Sequence, residues 1–465
     1  MTAMRQRRPD LQFPLAASQP STSTPKPVPG TYGPPVLGRV FDTLGFLYFS
    51  GWEQFFLNKQ RKYQSSVFRA NMFLKMTVAL DHRAISHLFQ SEHLVQDYGF
   101  GWAAPPRALV GDVTPSIFEA GSAHDQPKAL YLQLLHTRAS SLLPVFNRLA
   151  DEFFGRWVTE GKIGFRDELE DFSASLVFEW FLGERPNPGD VRLVYTNIFT
   201  QLFVGITRLI PWSNYSRSVT AYGRILSFVK NTKAFPEIVA LARGHGLTDQ
   251  DALAKQITFL LGMNSFLGIQ ALTKAVAGEL SLRPELRDSL RREMEAAMGA
   301  SRSLSSLAAL GAMPMLDKTL REILRLHPPV TFVFGRATQD LNLESESGTF
   351  ILAKGELLMG VLPVAQKNES VFPQPEQFDP GRFENPVASQ HLIWPRGLHE
   401  AQVTSHDRTC PGKDYAIIIA KLFSCALLRR LDWEMETTPQ WSRQRFIPNV
   451  GAPVGPMNAT VRKRE

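Results

Sequence analysis

The chain has 465 residues, 44% hydrophobic and 11% aromatic, with 32 Phe against 9 Tyr, enough apolar material for a large core. Two cysteines, Cys410 and Cys425, exclude a disulfide framework and point to a reducing, intracellular setting. The formal net charge is +7, but the basic residues are dispersed, which argues against a nucleic-acid site and leaves a mildly cationic surface suited to anionic membrane.

Taken in chain order, the first 28 residues read as a flexible tail. They are basic and rich in Ser, Thr and Pro, with Asp10 as the lone acid. They lack the apolar centre of a secretory leader, and a short organellar address is the alternative. No run of about 18 apolar residues occurs, so no membrane-spanning helix is predicted. Residues 29–465 read as one domain, mainly α with a minor β part. "KPVPGTYGPPVLG" (26–38) is a stiff lead-in, and "SVFRANMFLKMTVAL" (66–80) has strand composition. Helical patterns dominate from about 126 to 335. Within them, "FTQLFVGITRLIPW" (199–212) reads as a core helix or a lipid-dipping entrance.

The longest pattern runs from about Asp249 to Arg283 without proline, and Pro284 suits the first turn of the next helix. Thr248, with Asp251 three residues on, predicts the N-cap and its capping box. Such a helix spans ~50 Å, enough to cross a whole domain. Its middle, "LLGMNSFLGIQ" (260–270), breaks the rules of a good helix. Each interior glycine costs ~1 kcal/mol against alanine, and a buried Asn264 needs hydrogen-bond partners.

Beyond it, "DLNLESESGTFILAKGELL" (340–358) predicts strands joined by a turn at Ser347–Gly348. Cys410 in "RTCPGKDYAIIIAKLF" stands just before an apolar helix, and "RRLDWEMETT" returns to strand. A helix N-terminus favours an anion and lowers a thiol pKa. A thiolate on a short loop at a buried helix start is one way to hold haem iron. Cys425, on the apolar face, reads as an inert core residue.

Two further motifs precede that cysteine. Glu322-x-x-Arg325 lies on one helical face in "REILRLHPP", and Arg382 follows in "FPQPEQFDPGRFENP". Helix E-x-x-R, a P-x-R-F loop and C-x-G, in that order, resemble a cytochrome P450. The resemblance implies a long central helix over a haem b whose iron takes Cys410 as axial thiolate. It also implies a structural network of Glu322, Arg325 and Arg382 that braces the haem-binding region.

The sequence departs from the usual pattern twice. In the haem loop Arg408, Cys410 and Gly412 match, but Val403 replaces the Phe, His406 replaces the Gly, and the loop "WPRGLHEAQVTSHDRTC" is lengthened. In the central helix, "GMNSFLGIQ" lacks the acid and threonine with which monooxygenases of the family deliver protons to dioxygen. Both departures are similar to the branch that metabolises fatty-acid hydroperoxides: allene oxide synthases, hydroperoxide lyases and epoxyalcohol synthases. That branch has an N-x-x-G-G helix centre, where this chain has Leu267 for the first glycine.

The branch needs neither dioxygen, NADPH nor a reductase, because a polyunsaturated fatty-acid hydroperoxide already contains the O–O bond that is cleaved homolytically. The expected roles follow from the resemblance. Asn264 orients the peroxide. Phe259, Phe266 and Leu267 line an apolar pocket, and Phe100, with Tyr98 as its rival, shapes the product. His124, Lys128 and Arg336 meet the haem propionates. Leu267 tilts the expected product to an epoxyalcohol, with allene oxide and then aldehydes behind it. A reductase-dependent monooxygenase and a non-catalytic haem sensor or carrier are the other readings. Peripheral membrane contact is expected from the substrate's partitioning into lipid.

Overall fold

The structure, a computed structural model, describes residues 24–99, 113–200, 210–299, 304, 306–391, 403–441 and 451–464. The fold is mainly helical with three small sheets. At its centre is a 32-residue helix, Gln250–Ser281. Asp249, rather than Thr248, is its N-cap: the Asp249 carboxylate accepts the backbone N–H groups of Asp251 and Ala252. An aspartate one residue closer to the first turn takes two orphan donors where the threonine hydroxyl could take one. From Asn264 to Ile269 the helix widens into a π-helical turn, and Pro284 opens the next helix as expected.

This helix is buried because its neighbours cover it on several sides. Helices Leu142–Glu160, Phe165–Leu182, Pro314–Leu326 and Lys413–Arg430 contribute to one continuous apolar cluster with it. Gly262 permits the closest approach, since a Cβ at that position would overlap the Tyr195 ring. Among the described residues this helix alone is long and apolar enough to cross a bilayer, and it runs through the core instead.

The sheets flank this body. The stretch 66–80 is a hairpin, Val67–Met72 against Leu74–Ala79, with Phe73 at φ +58° in the tight turn. Leu74–Ala79 pairs in parallel with Leu357–Val361, and Phe332–Ala337 and Leu94–Gln96 complete five strands. Strands Leu341–Ser345 and Gly348–Leu352 form the predicted hairpin, with Gly348 at φ +120°. Lys26–Pro27 adds to its edge in parallel, and Val28 is buried beneath it. The last residues of the expected tail are therefore part of the fold, held by backbone pairing that composition does not reveal. A third sheet joins Leu431–Met435, Asn458–Lys463 and Lys162–Gly164.

Candidate haem-thiolate site

A cavity separates the central helix from the Cys410 loop. A second, smaller lobe shares Tyr131, Leu260, Asn264, Gly268, Cys410 and Pro411 with it. The cavity is therefore a slab with the helix on one face and the sulfur on the other. Gly268 faces open space, so its missing side chain widens the slab.

The central helix presents Phe259, Leu260, Leu261, Met263, Asn264, Leu267, Gly268 and Ile269 to the two lobes. Asn264 is the one polar side chain in that set. Its Nδ2 donates to the Leu260 carbonyl at 2.9 Å, one turn back, where the π-helical turn begins. The side chain is nonetheless exposed to the cavity. Helix distortion and cavity lining thus coincide in one residue, and π-turns recur at functional sites. Ser265 is turned away, with its hydroxyl donating to Gly262 O. Phe266 is also turned away and packs against Tyr195, their ring centroids 6.1 Å apart, so it is absent from the lining where the sequence placed it.

Cys410 lines both lobes, two residues before the Lys413–Arg430 helix reaches its N-cap at Gly412. Burial pushes its thiol pKa up, against the pull of the Gly412 N–H and the Lys128 ammonium. The helix-terminus effect is present, but the apolar setting outweighs it in the free thiol. Cys425 is buried against Met313, as a core residue should be.

One edge of the slab is cationic. His124, Lys128 and Arg408 line it. His124 and Lys128 share a face of the Ser122–Arg138 helix and are both buried. Lys128 donates to the Asp407 carbonyl and to its carboxylate at 2.8 Å. Burial opposes ionisation of that carboxyl, but Lys128 and Thr404 hold its pKa down at about 2. Arg336 lies elsewhere: it donates to Asp97 and to Gly355 O, both at 2.8 Å, and does not line the cavity. Its side chain is held at the surface by those partners, and Arg408 lines the cationic edge instead. The signal for Arg408 was its match to the haem loop, two residues before the cysteine.

The bracing network forms in full. Glu322 and Arg325 make a bidentate pair at 2.7 and 2.8 Å, both fully buried. Arg325 also donates to the carbonyls of Gln366, Pro375 and Gln377. Arg382 reaches Glu322 at 3.2 Å and donates to Pro373, Gln374 and Gln377. This many donors aimed at backbone fix the Pro373–Arg382 loop in one shape.

Phe100 lies outside the described residues, as do most of 199–212 and the first part of the lengthened haem loop. Tyr98 is described and stacks on Phe118 at 3.9 Å.

The cytochrome P450 family model matches residues 269–456. The retinoic-acid-bound cyanobacterial CYP120A1 superposes with a TM-score of 0.72 at 19% identity, covering 91% of this chain and 96% of that one. The chain has the cytochrome P450 fold.

Its sequence also resembles the branch anticipated above. An allene oxide synthase of Linum usitatissimum is 27% identical, over 91% of this chain and 86% of its own length. A divinyl ether synthase of Selaginella moellendorffii is 27% identical, over 88% and 91%. A fatty acid hydroperoxide lyase of Solanum lycopersicum is 25% identical, over 90% and 96%. The P450 fold implies haem. The residues present fit it: a slab with a sulfur on one face, apolar walls, and two cations, Lys128 and Arg408, with the His124 imidazole along one edge for two propionates.

Proposed function

We propose that this P450 is a self-sufficient haem-thiolate enzyme that rearranges polyunsaturated fatty-acid hydroperoxides, with an epoxyalcohol as the main product. Haem iron held by Cys410 supplies, when bound, homolytic cleavage of the O–O bond. The observation that carries the reading is the composition of the helix facing the sulfur. Its lining is apolar except for an amide, with no acid or hydroxyl to deliver protons to dioxygen. Asn264 can both donate to and accept from a peroxide, and so sets which oxygen faces the metal. Phe259, Leu260, Leu267, Val330 and Val333 offer the apolar wall that an acyl chain needs. His124, Lys128 and Arg408 balance the propionates.

Leu267 favours the epoxyalcohol, because it narrows the slab where the branch pattern has glycine. The names of the relatives favour allene oxide formation as the second reading. The deciding experiment is anaerobic incubation of the purified chain with a hydroperoxide labelled with heavy oxygen at both peroxide atoms, without NADPH or reductase. An epoxyalcohol retaining both labels is expected. A ketol with one label would mean allene oxide formation, and short aldehydes would mean lyase. Absence of turnover would overturn the reading.

The same proposal includes peripheral contact with anionic lipid. Helix Leu37–Leu44 has no buried residue, and Val36, Leu37, Val40, Phe41, Tyr48 and Phe49 are all exposed in and around it. Arg39 is exposed on the same segment, and the preceding tail carries Arg5, Arg7 and Arg8 against one acid. An apolar face beside basic residues suits an anionic interface.

A further inference from the structure

The cationic edge of the cavity is tied to the solvent side by one carboxylate. Asp125 Oδ1 meets His124 Nδ1 at 2.8 Å, and Asp125 Oδ2 meets His406 Nδ1 at 2.6 Å. The His124 side chain is 7% exposed and lines the cavity, whereas that of His406 is 79% exposed. His406 comes from the haem loop and stands where the common P450 pattern has glycine. The other charged groups facing His124 are Lys128, one turn along its own helix, and Arg408 from the loop. Lys128 in turn holds Asp407. The helix and the loop that carries Cys410 are therefore joined twice, by Asp125–His406 and by Lys128–Asp407.

A carboxylate beside Nδ1 fixes that nitrogen as the donor and turns Nε2 outward. For His124, Nε2 is then the atom left for the cavity. Burial lowers the His124 pKa, and Arg408 and Lys128 lower it further, while the hydrogen bond to Asp125 raises it. Burial raises the Asp125 pKa, but His124 and His406 more than offset it, so Asp125 stays ionised. A neutral His124 thus offers the cavity a bare acceptor, which repels a carboxylate.

We propose that His124 takes up one proton from solvent on Nε2 when a haem propionate seats at this edge, and that Asp125 and His406 are the positioning residues that aim it. The resulting imidazolium donates Nδ1–H to Asp125 and Nε2–H to the propionate. This inference rests on the haem reading of the site.

The sign follows from linkage. The propionate raises the His124 pKa above its haem-free value. Haem is held fully at pH below the haem-free pKa, and affinity falls about tenfold per pH unit between the two pKa values. The test follows haem loss from the purified holoprotein to excess apoglobin across pH, starting from about pH 6 near the ordinary histidine pKa. In the wild type, loss accelerates with pH. In His124→Gln it is independent of pH over that window. In His406→Gly the midpoint moves to lower pH, and His406→Gln, which keeps a donor for Asp125, restores it. Identical profiles for wild type and His124→Gln, or an unmoved midpoint in His406→Gly, would overturn the proposal. Ring-nitrogen NMR of histidine-labelled protein, with His124→Gln for assignment, should show the Nδ1-protonated tautomer at His124. The opposite tautomer would sink the positioning role by itself. A chain that binds no haem at all would instead sink the haem reading, whatever the tautomer.

Discussion

Cys410→Ser replaces the sulfur at the base of the slab with a weaker ligand of nearly the same size. The fold should survive, because Cys410 lines a cavity and does not pack the core. The thiolate signature in the haem absorption spectrum should vanish, and hydroperoxide turnover with it. An unchanged spectrum would remove the ligand assignment. Asn264→Ala removes an amide whose loss from a neutral hydrogen bond is worth about 1 kcal/mol, so turnover should fall about fivefold. Its product ratio should shift as well, because the peroxide loses its orienting partner. Equal rate and product ratio in wild type and Asn264→Ala would sink that role. The cysteine, the amide and the E-x-x-R pair were legible in the sequence because their spacing carries chemistry. The aim of Phe266 was not, because the π-turn rotates the residues after Asn264 away from an ideal helical register. Arg336 misled for a related reason: its position near the E-x-x-R helix does not fix which edge of its strand it occupies.

At the scale of one helix, the two glycines of the central segment do different work. Gly262→Ala drives a methyl group into the buried Tyr195 ring. Overpacking of this kind costs about 1–3 kcal/mol, so the denaturation midpoint should drop. Gly268→Ala adds its methyl to open space in the cavity and removes a helix-interior glycine, so stability should hold or rise by up to about 1 kcal/mol. Its effect should appear in product distribution instead. Reversal of the two outcomes would show that the helix sits differently over the cavity. The Pro314–Leu326 helix makes the complementary case. Arg325→Lys forfeits the bidentate geometry and leaves Glu322 and several carbonyls short of donors. A loss of about 3–5 kcal/mol is expected, read by chemical denaturation, together with loss of haem from the loosened loop. The existence of both helices was written in periodicity. The cap of the first was displaced by one residue, because Thr248 and Asp249 both satisfy the capping rule and only backbone geometry decides.

For the molecule as a whole, the exposed face at Val36–Phe49 should govern where the enzyme meets its substrate. Phe41→Asp with Phe49→Asp should lower binding to vesicles containing anionic phospholipid about tenfold or more, since burying even part of each ring is worth over 1 kcal/mol. Flotation of wild type and double variant on such vesicles, with neutral vesicles as the reference, measures this. Equal flotation would remove that face from the lipid contact. The fold class was legible from helical patterns and motif order, but strand partners were not. Nothing local in Lys26–Pro27 or Lys162–Gly164 signals a sheet, because the partner lies far along the chain. That remoteness matters during synthesis. Asn458–Lys463 is the middle strand of its sheet and pairs with both neighbours, one of them near residue 163. A nascent chain therefore carries two unpaired strand edges until residues 458–463 have left the ribosome and can pair.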